Sequence, residues 1–207
     1  MGGGCRFMKN RETIYAGGKC ENNCFSHYGG CNASDDIALK QTETCEYKSE
    51  NHDILLLSLK EINDRIEEFT KKGKSVFLYT PDLFSKFYFS KLFKKLPERN
   101  GNTFIAVNAG VRTLKQRKYP FEEIKARGIF EIWIGVESAE LSIRNKYGKP
   151  KFSNKDVIFL TKEAKKYGIE ICWYLVDGKE DTAQSRLATY DLIRECNPFR
   201  VNVERLQ

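Results

Sequence analysis

Three thiols and one imidazole lie close together near the start of the chain, at Cys20, Cys24, His27 and Cys31. Thiolate and imidazole are the side chains that bind zinc and the iron of iron–sulfur clusters. The Gly29-Gly30 pair before the last thiol tolerates the left-handed backbone angles that a chain needs to curl around an ion. Structural cysteines favour regular elements over a loop of this kind, so the pattern predicts a metal site.

The ligand types leave the identity of the metal open. All four side chains together complete a tetrahedral zinc site. Three ligands around a 4Fe-4S cluster instead leave one iron with an open position for a substrate or cofactor. Of the other four cysteines, Cys5 and Cys45 have no spacing that joins them to this site, and Cys172 and Cys196 are predicted to be structural.

Composition and length indicate an ordinary globular chain. The 207 residues are 41% hydrophobic and 30% charged, which excludes disordered and collagen-like classes. We expect a single domain over residues 1–207, with an N-terminal extension at 1–12 and a cysteine-rich loop at 17–53. The apolar run 54–57 is far shorter than the ~20 residues that cross a bilayer, and the first residues lack a secretory signal. The sequence predicts a cytoplasmic protein without a membrane partner.

After residue 53 the hydrophobic pattern alternates between helix and strand. The run 130–136 is apolar on both faces, as in a strand at the centre of a parallel sheet. The predicted strands are 13–16, 76–79, 104–107, 130–136, 169–176 and 200–203. Five helices are predicted between them: one that ends near Gly73, one that begins near Asp82, one over 119–127, one from the capping box at Ser153 to Gly168, and one from Asp181 or Thr182 through Ile193. This order predicts an α/β fold with a parallel sheet, and periodicity does not distinguish an open sheet from a barrel or partial barrel.

Polar residues follow every predicted strand. In parallel α/β folds, ligands bind at the carboxyl ends of the strands. These positions are candidates for ligand contact, although strand ends are polar wherever a loop begins. They are the cysteine loop, Thr80 and Asp82, Asn108, Glu137 and Ser138, Asp177, and Glu204 and Arg205.

Residues 71–95 hold seven lysines and one acid, Asp82, with aromatic residues between them. Lysines interleaved with aromatics are typical of surfaces that bind RNA, so RNA is a candidate partner. The favoured interpretation is different, because apolar residues recur at helical spacing, at Leu83, Phe84, Phe87, Tyr88 and Leu92. On that interpretation the aromatics belong to the core and the lysines to the solvated face of a helix.

The chain lacks the P-loop pattern, a G-x-G-x-x-G turn after a strand and a serine nucleophile elbow. These absences weaken assignment to kinases, nicotinamide-dependent dehydrogenases and serine hydrolases.

A C-x3-C loop directly after the first strand of a repeated βα domain resembles the radical S-adenosylmethionine (SAM) superfamily. The later motifs are similar in order and spacing to the cores of its cobalamin-associated and methylthiotransferase-like branches. The resemblance covers residues 13–205. Each motif alone is weak evidence, and the resemblance is specific because the motifs occur in the same order along the chain. The motifs are Thr80-Pro81-Asp82, Gly135-Val136-Glu137-Ser138, Lys149, Val176-Asp177-Gly178-Lys179-Glu180-Asp181-Thr182 and Asn197-Pro198-Phe199.

The resemblance implies a parallel (βα)6 partial TIM-type barrel and a radical SAM enzyme. Such an enzyme uses a 4Fe-4S cluster and an electron donor to cleave SAM reductively, and the resulting 5′-deoxyadenosyl radical abstracts hydrogen from a substrate, here unknown. The cobalamin-associated branch adds cobalamin as a candidate cofactor. The implied cofactor-binding residues are Thr80, Asp82, Asn108, Glu137, Ser138 and Lys149, and the implied first two cluster ligands are Cys20 and Cys24.

The cysteine loop departs from the superfamily pattern at the third ligand. The usual third cysteine lies three positions after the second, where this chain has His27, and the next thiol is Cys31. We assign the third ligand to Cys31, because thiolate stabilises iron in a sulfide cluster better than imidazole does. His27 is the alternative third ligand. A chain that has lost the cluster would be a non-catalytic or zinc-stabilised binding module, the second hypothesis for its function.

Overall fold

The structure is a computed structural model. It describes residues 11–15, 58–79, 82–84, 88–99, 101, 103–116, 119–148 and 152–206. The cysteine loop at 17–53 lies outside these residues. Within the described residues, no helix has the length and apolar composition needed to cross a membrane.

Six parallel strands form one sheet whose order follows the chain, β1-β2-β3-β4-β5-β6. This topology confirms the predicted α/β fold class, a parallel partial TIM-type barrel. The chain divides into two compact units, Met1–Asn108 with Ala126–Ile129, and Ala109–Lys125 with Phe130–Gln207. The elements in chain order are β1 Arg11–Tyr15, α1 Leu59–Lys71, β2 Ser75–Tyr79, α2 Tyr88–Lys95, β3 Ile105–Ala109, α3 Val111–Lys115, α4 Phe121–Ala126, β4 Ile129–Glu137, α5 Leu141–Lys146, α6 Asn154–Lys166, β5 Glu170–Asp177, α7 Ala183–Cys196 and β6 Arg200–Arg205.

The first unit contains β1, β2 and most of β3, with α1 and α2. Helix α1 begins at a capping box, in which Ser58 accepts from the Glu61 N–H and the Glu61 carboxylate accepts from the Ser58 N–H. It ends before Gly73, whose φ of 67° suits glycine. Ile62 and Ile66 on the apolar stripe of α1 are fully buried, as are β2 residues Val76 and Leu78. The predicted end of this helix is therefore confirmed.

The helix predicted to begin near Asp82 begins later. Residues 82–84 form a turn, in which a carboxylate oxygen of Asp82 accepts the Phe84 N–H at 3.0 Å. Aspartate caps helices and closes short turns by the same side-chain to backbone hydrogen bond, so the sequence alone does not separate the two. The predicted start was wrong, and helix α2 begins at Tyr88.

The second unit contains β4, β5 and β6 with helices α3 to α7. On one face of β4 and β5, Ile132 is paired with Ile171 and Ile134 with Trp173, and all four side chains are buried. The Trp173 indole N–H lies 3.3 Å from the Thr161 hydroxyl of α6, which places this face against that helix. The apolar run predicted as a central strand is therefore buried, as its composition requires.

Cys196 ends helix α7 and is buried, and burial raises the pKa of its thiol to about 11. The folded state therefore favours the neutral thiol, because the ordinary pKa of a cysteine thiol is 9.0. We expect this contribution to stability, at most about 2 kcal/mol, to be complete below pH 9 and lost as the pH rises through 11. Urea unfolding at pH 8 and pH 10.5 measures how much unfolding free energy is lost between the two pH values. The loss should be larger for the parent chain than for Cys196→Ala, and equal losses would contradict a role of this thiol.

Candidate functional site

Four predicted cofactor-binding residues lie within the described part of the chain: Asp82, Asn108, Glu137 and Ser138. The predicted metal ligands Cys20, Cys24 and Cys31, with His27 as the alternative third ligand, lie outside it, as do Thr80 and Lys149. Among the residues that the structure does describe, no three His, Cys, Asp or Glu side chains are placed to hold a metal ion.

In the first unit, Asp82 and Asn108 lie at the carboxyl ends of β2 and β3. The Leu83 N–H donates to the Asn108 backbone carbonyl at 3.0 Å, which ties the 82–84 turn to the end of β3. Asn108 is 9% exposed and Asp82 is half-buried. Both residues are therefore at the predicted edge, and their binding of a cofactor stays a prediction.

Glu137 ends β4 in an unusual backbone conformation. Its φ is 62°, in the left-handed region that glycine populates, and its side chain is only 3% exposed. The Ser138 N–H donates to the Val136 carbonyl at 2.8 Å, which closes a three-residue turn centred on Glu137. The register with β5 shifts between Gly135 and Glu137 at the same place. A non-glycine residue held there costs about 1–3 kcal/mol, and such strain concentrates at functional sites.

Ser138 is buried and forms hydrogen bonds within the protein. Its hydroxyl accepts the Glu140 N–H at 3.2 Å and lies 3.3 Å from the Thr189 hydroxyl of α7. The Thr189 oxygen also accepts the Ala139 N–H at 3.0 Å. These contacts hold the turn after β4 against α7, so Ser138 and Thr189 help to fix the backbone that follows Glu137.

Tyr147, directly after α5, lies beside the loop that follows β5. Its hydroxyl is 2.6 Å from the position that a Cβ on Gly178 would occupy. Burial raises the pKa of the Tyr147 phenol, and the carboxylates of Asp181, Glu180, Glu137 and Asp177 raise it further. The phenol therefore stays protonated at neutral pH.

The loop after β5 is held by ion pairs. Asp177 accepts from Arg186 Nε at 2.8 Å, and its other oxygen lies 3.9 Å from Arg205 Nε. Lys146 of α5 pairs with Glu180. The loop that begins at Asp177 is thus joined to α5, α7 and β6, although each pair is partly exposed and contributes modestly to stability.

The contact between Tyr147 and Gly178 can be tested by a small substitution. We expect Gly178→Ala to lower the free energy of unfolding by at most about 1 kcal/mol, because the new methyl group overlaps the Tyr147 hydroxyl and the half-buried phenol can move aside. Combining it with Tyr147→Phe should restore most of the loss, because the next nearest atom, Leu206 Cβ, is at 3.5 Å. Urea unfolding of the two single variants and the double variant measures the coupling, and additive losses would refute the overlap.

Arg144 of α5 organises the connection between α5 and α6. The residue is 3% exposed, and its guanidinium donates to the carbonyls of Phe152 and Ala139 and to Asn154 Oδ1 at 2.9–3.2 Å. It also lies 4.7 Å from the centroid of the Phe152 ring. The buried guanidinium therefore binds Ala139, which precedes Lys149 in the sequence, and Phe152 and Asn154, which follow it.

Two aromatic residues of the lysine-rich segment 71–95 agree with the favoured interpretation. Phe84 and Phe93 are buried, with ring centroids 5.1 Å apart, and belong to the core. Two of the lysines form ion pairs, Lys72 with Glu68 and Lys74 with Glu12, each at 2.5 Å. These acids offset part of the positive charge, and RNA binding stays a prediction.

No pattern in the sequence identifies Tyr147 or Thr189 as part of the site. Neither residue belongs to a motif, and each acts through a partner that is distant in the chain. The left-handed Glu137 was also not foreseen, because glycine is the residue that ordinarily signals a positive φ.

The strand order is that of a partial barrel, and similarity to solved structures gives the class of the fold: the chain has the fold of radical SAM enzymes. One similar structure is the radical SAM methyltransferase TsrM from Kitasatospora setae, solved with cobalamin and a 4Fe-4S cluster, with a TM-score of 0.63 and 10% identity over 96% of this chain. Methylornithine synthase (PylB) has a TM-score of 0.59 and 16% identity over 95% of this chain. The cobalamin-dependent SAM radical enzyme OxsB has a TM-score of 0.53 and 13% identity over 87%.

The chain spans 37% of TsrM, 53% of PylB and 26% of OxsB. No protein-family model and no curated protein matches the sequence. The similarity to solved structures therefore establishes the fold, and the predicted resemblance to the superfamily is confirmed at that level.

Proposed function

We propose that this chain is the core of a radical SAM enzyme that binds a 4Fe-4S cluster and cleaves SAM reductively, with an electron donor and a substrate still to be identified. The single observation that carries the proposal is Glu137. It is a buried carboxylate at the carboxyl end of β4, held in a strained turn at a shift in strand register. Strained residues cluster at active sites and ligand-binding residues, which supports a ligand contact at this strand end.

The donor set of the cysteine loop suits the cluster. Cys20, Cys24 and Cys31 would supply three thiolates to the cluster, and an iron without a protein ligand would be available to SAM. Reductive cleavage of SAM to methionine and a 5′-deoxyadenosyl radical is the chemistry that the reduced cluster supplies when it is bound.

The residues of this chain bind and orient SAM. The Glu137 carboxylate accepts hydrogen bonds from the hydroxyl or amino groups of SAM. Ser138 and Thr189 fix the turn that carries Glu137, through the hydrogen bonds at 3.0–3.3 Å described above. The Tyr147 phenol, whose pKa is raised by burial and by the carboxylates around it, stays protonated and adds no negative charge near Glu137. A carboxylate fixed in advance binds at a lower entropic cost than a mobile one.

Anaerobic reconstitution with iron and sulfide tests the proposal. We expect absorption near 400 nm and formation of 5′-deoxyadenosine when SAM and dithionite are added. The matched control omits dithionite, because without a reductant the bond between carbon and sulfur is not cleaved. An iron-free protein that forms no deoxyadenosine under these conditions would overturn the assignment.

A zinc-stabilised binding module with the same fold is the second candidate function. Its support is His27 at the position of the usual third cysteine, which completes a set of four zinc ligands. One zinc and no iron in the protein purified without oxygen would favour this candidate over the enzyme.

A further inference from the structure

Strand β6 has one edge without a partner strand among the described residues. It is the last strand in the sheet order, and all six of its residues pair with β5, from Arg200 with Cys172 to Arg205 with Asp177. Residues 202–205 are exposed, and Val203 keeps 51% of its surface in contact with solvent. An edge of this kind presents unpaired backbone N–H and C=O groups to a further strand.

The edge lacks several devices that prevent pairing. The sequence Arg200–Arg205 contains no proline, glycine or lysine, and its register with β5 has no bulge. Its charges alternate with valines instead, so that Arg200, Asn202 and Glu204 share one face and the two valines share the other.

The strand is complementary to itself in one antiparallel register. With Asn202 opposite Asn202 of a second copy, Arg200 faces Glu204 and Val201 faces Val203. The two-fold axis repeats each pair, which gives two ion pairs on one face and two valine pairs on the other. A shift of one residue in one direction places Arg200 opposite Arg205, and a shift in the other direction places it opposite Val203. Of these three registers only the centred one pairs opposite charges, and it also opposes five residues of each strand.

The two charged side chains that face each other in this register, Arg200 and Glu204, are not already paired within the described part of the chain. Within the described residues, neither Arg200 nor Glu204 forms an ion pair, and the Arg200 guanidinium lies over the Phe199 ring at 4.8 Å. Arg205, which the register does not use, already lies 3.9 Å from Asp177.

We propose that β6 is the interface of a two-fold symmetric homodimer, in which the β6 strands of two copies pair antiparallel with Asn202 at the axis. The proposal is independent of the enzymatic function. An interface of one short strand per copy is small, so we expect a reversible dimer with a dissociation constant of about micromolar or weaker.

Charge reversal tests the register. We expect Arg200→Glu and Glu204→Arg each to weaken the dimer at least about tenfold, because like charges then face each other twice. An equimolar mixture of the two variants should form a heterodimer, and the double variant R200E/E204R should dimerise like the parent chain. Sedimentation equilibrium between about 5 and 200 µM measures the mass, and circular dichroism verifies that each variant is folded.

The matched control is Arg194→Glu, an exposed charge reversal on α7 that should leave dimerisation unchanged. A parent chain that stays monomeric at 200 µM would overturn the proposal and leave the edge to another occupant. A dimer that all the single variants retain, or a mixture that forms no heterodimer, would equally refute this register.

Discussion

Replacing Cys31 by alanine is expected to abolish both the 4Fe-4S absorption near 400 nm and the formation of 5′-deoxyadenosine, whereas replacing His27 should leave most of both. The physical reason is that a thiolate stabilises iron in a sulfide cluster more strongly than a neutral imidazole. With two thiolates left, the cluster loses iron or does not assemble. Iron and acid-labile sulfide counts after anaerobic reconstitution, together with the deoxyadenosine assay, measure the effect.

Cys45→Ala is the matched control for this pair, because it removes a nearby thiol that the spacing leaves outside the site. It should retain the iron, the sulfide and the activity. The opposite result, in which His27→Ala loses the cluster and Cys31→Ala keeps it, would assign the third ligand to the histidine. Loss of zinc rather than iron in both variants would support the zinc-stabilised module.

The elements of the second unit could be predicted because local signals and burial agree there. The run at 130–136 is apolar on both faces, and most residues of the strand found there, β4, are buried. Its neighbour β5 contacts α6 through the hydrogen bond between Trp173 and Thr161. The capping box at Ser153 and the glycine at 168 mark the two ends of α6, with Gly168 at φ 67°. Each of these features depends on residues within a few positions of one another, which sequence patterns register well.

The candidate site could be predicted only by position along the strands. The rule that ligands bind at carboxyl ends identifies Glu137, since the residue follows an apolar strand. It gives no reason for the left-handed φ or for the shift in register. Those features arise from the packing of β4 beside β5, which no local pattern encodes.

The contacts that support the site depend on distant residues. Tyr147 meets Gly178, and Ser138 meets Thr189, only after α5, β5 and α7 have packed. Serine after a strand is equally compatible with a turn and with ligand contact, and the structure shows the hydrogen bonds of a turn. The sequence therefore identified the carboxylate that we propose to bind SAM, and the tertiary structure added the groups that hold it.

Glu137→Gln is the second substitution with a large expected effect. It keeps the size of the side chain and removes its charge, so the turn after β4 should form as before. A hydrogen bond to a charged group contributes about 1.5–3 kcal/mol, so we expect the affinity of the reconstituted protein for SAM to fall about 10- to 100-fold. Equilibrium dialysis with SAM measures the affinity, and the iron content should stay constant.

The backbone at this position predicts how two further variants differ in stability. Glu137→Ala and Glu137→Gly both remove the carboxylate, and both should bind SAM weakly. The glycine variant should be the more stable of the two by about 1 kcal/mol in urea unfolding, because only glycine adopts a φ of 62° without strain.

Glu195→Gln is the control for these variants, since it removes an exposed carboxylate on α7 that lies 3.9 Å from Lys162. Its stability and its affinity for SAM should match those of the parent chain. If Glu137→Gln bound SAM as tightly as the parent, the carboxylate would hold the turn without touching the cofactor. If the alanine and glycine variants were equally stable, the strain at Glu137 would be absent in solution, and the reason for placing SAM at this strand end would be lost with it.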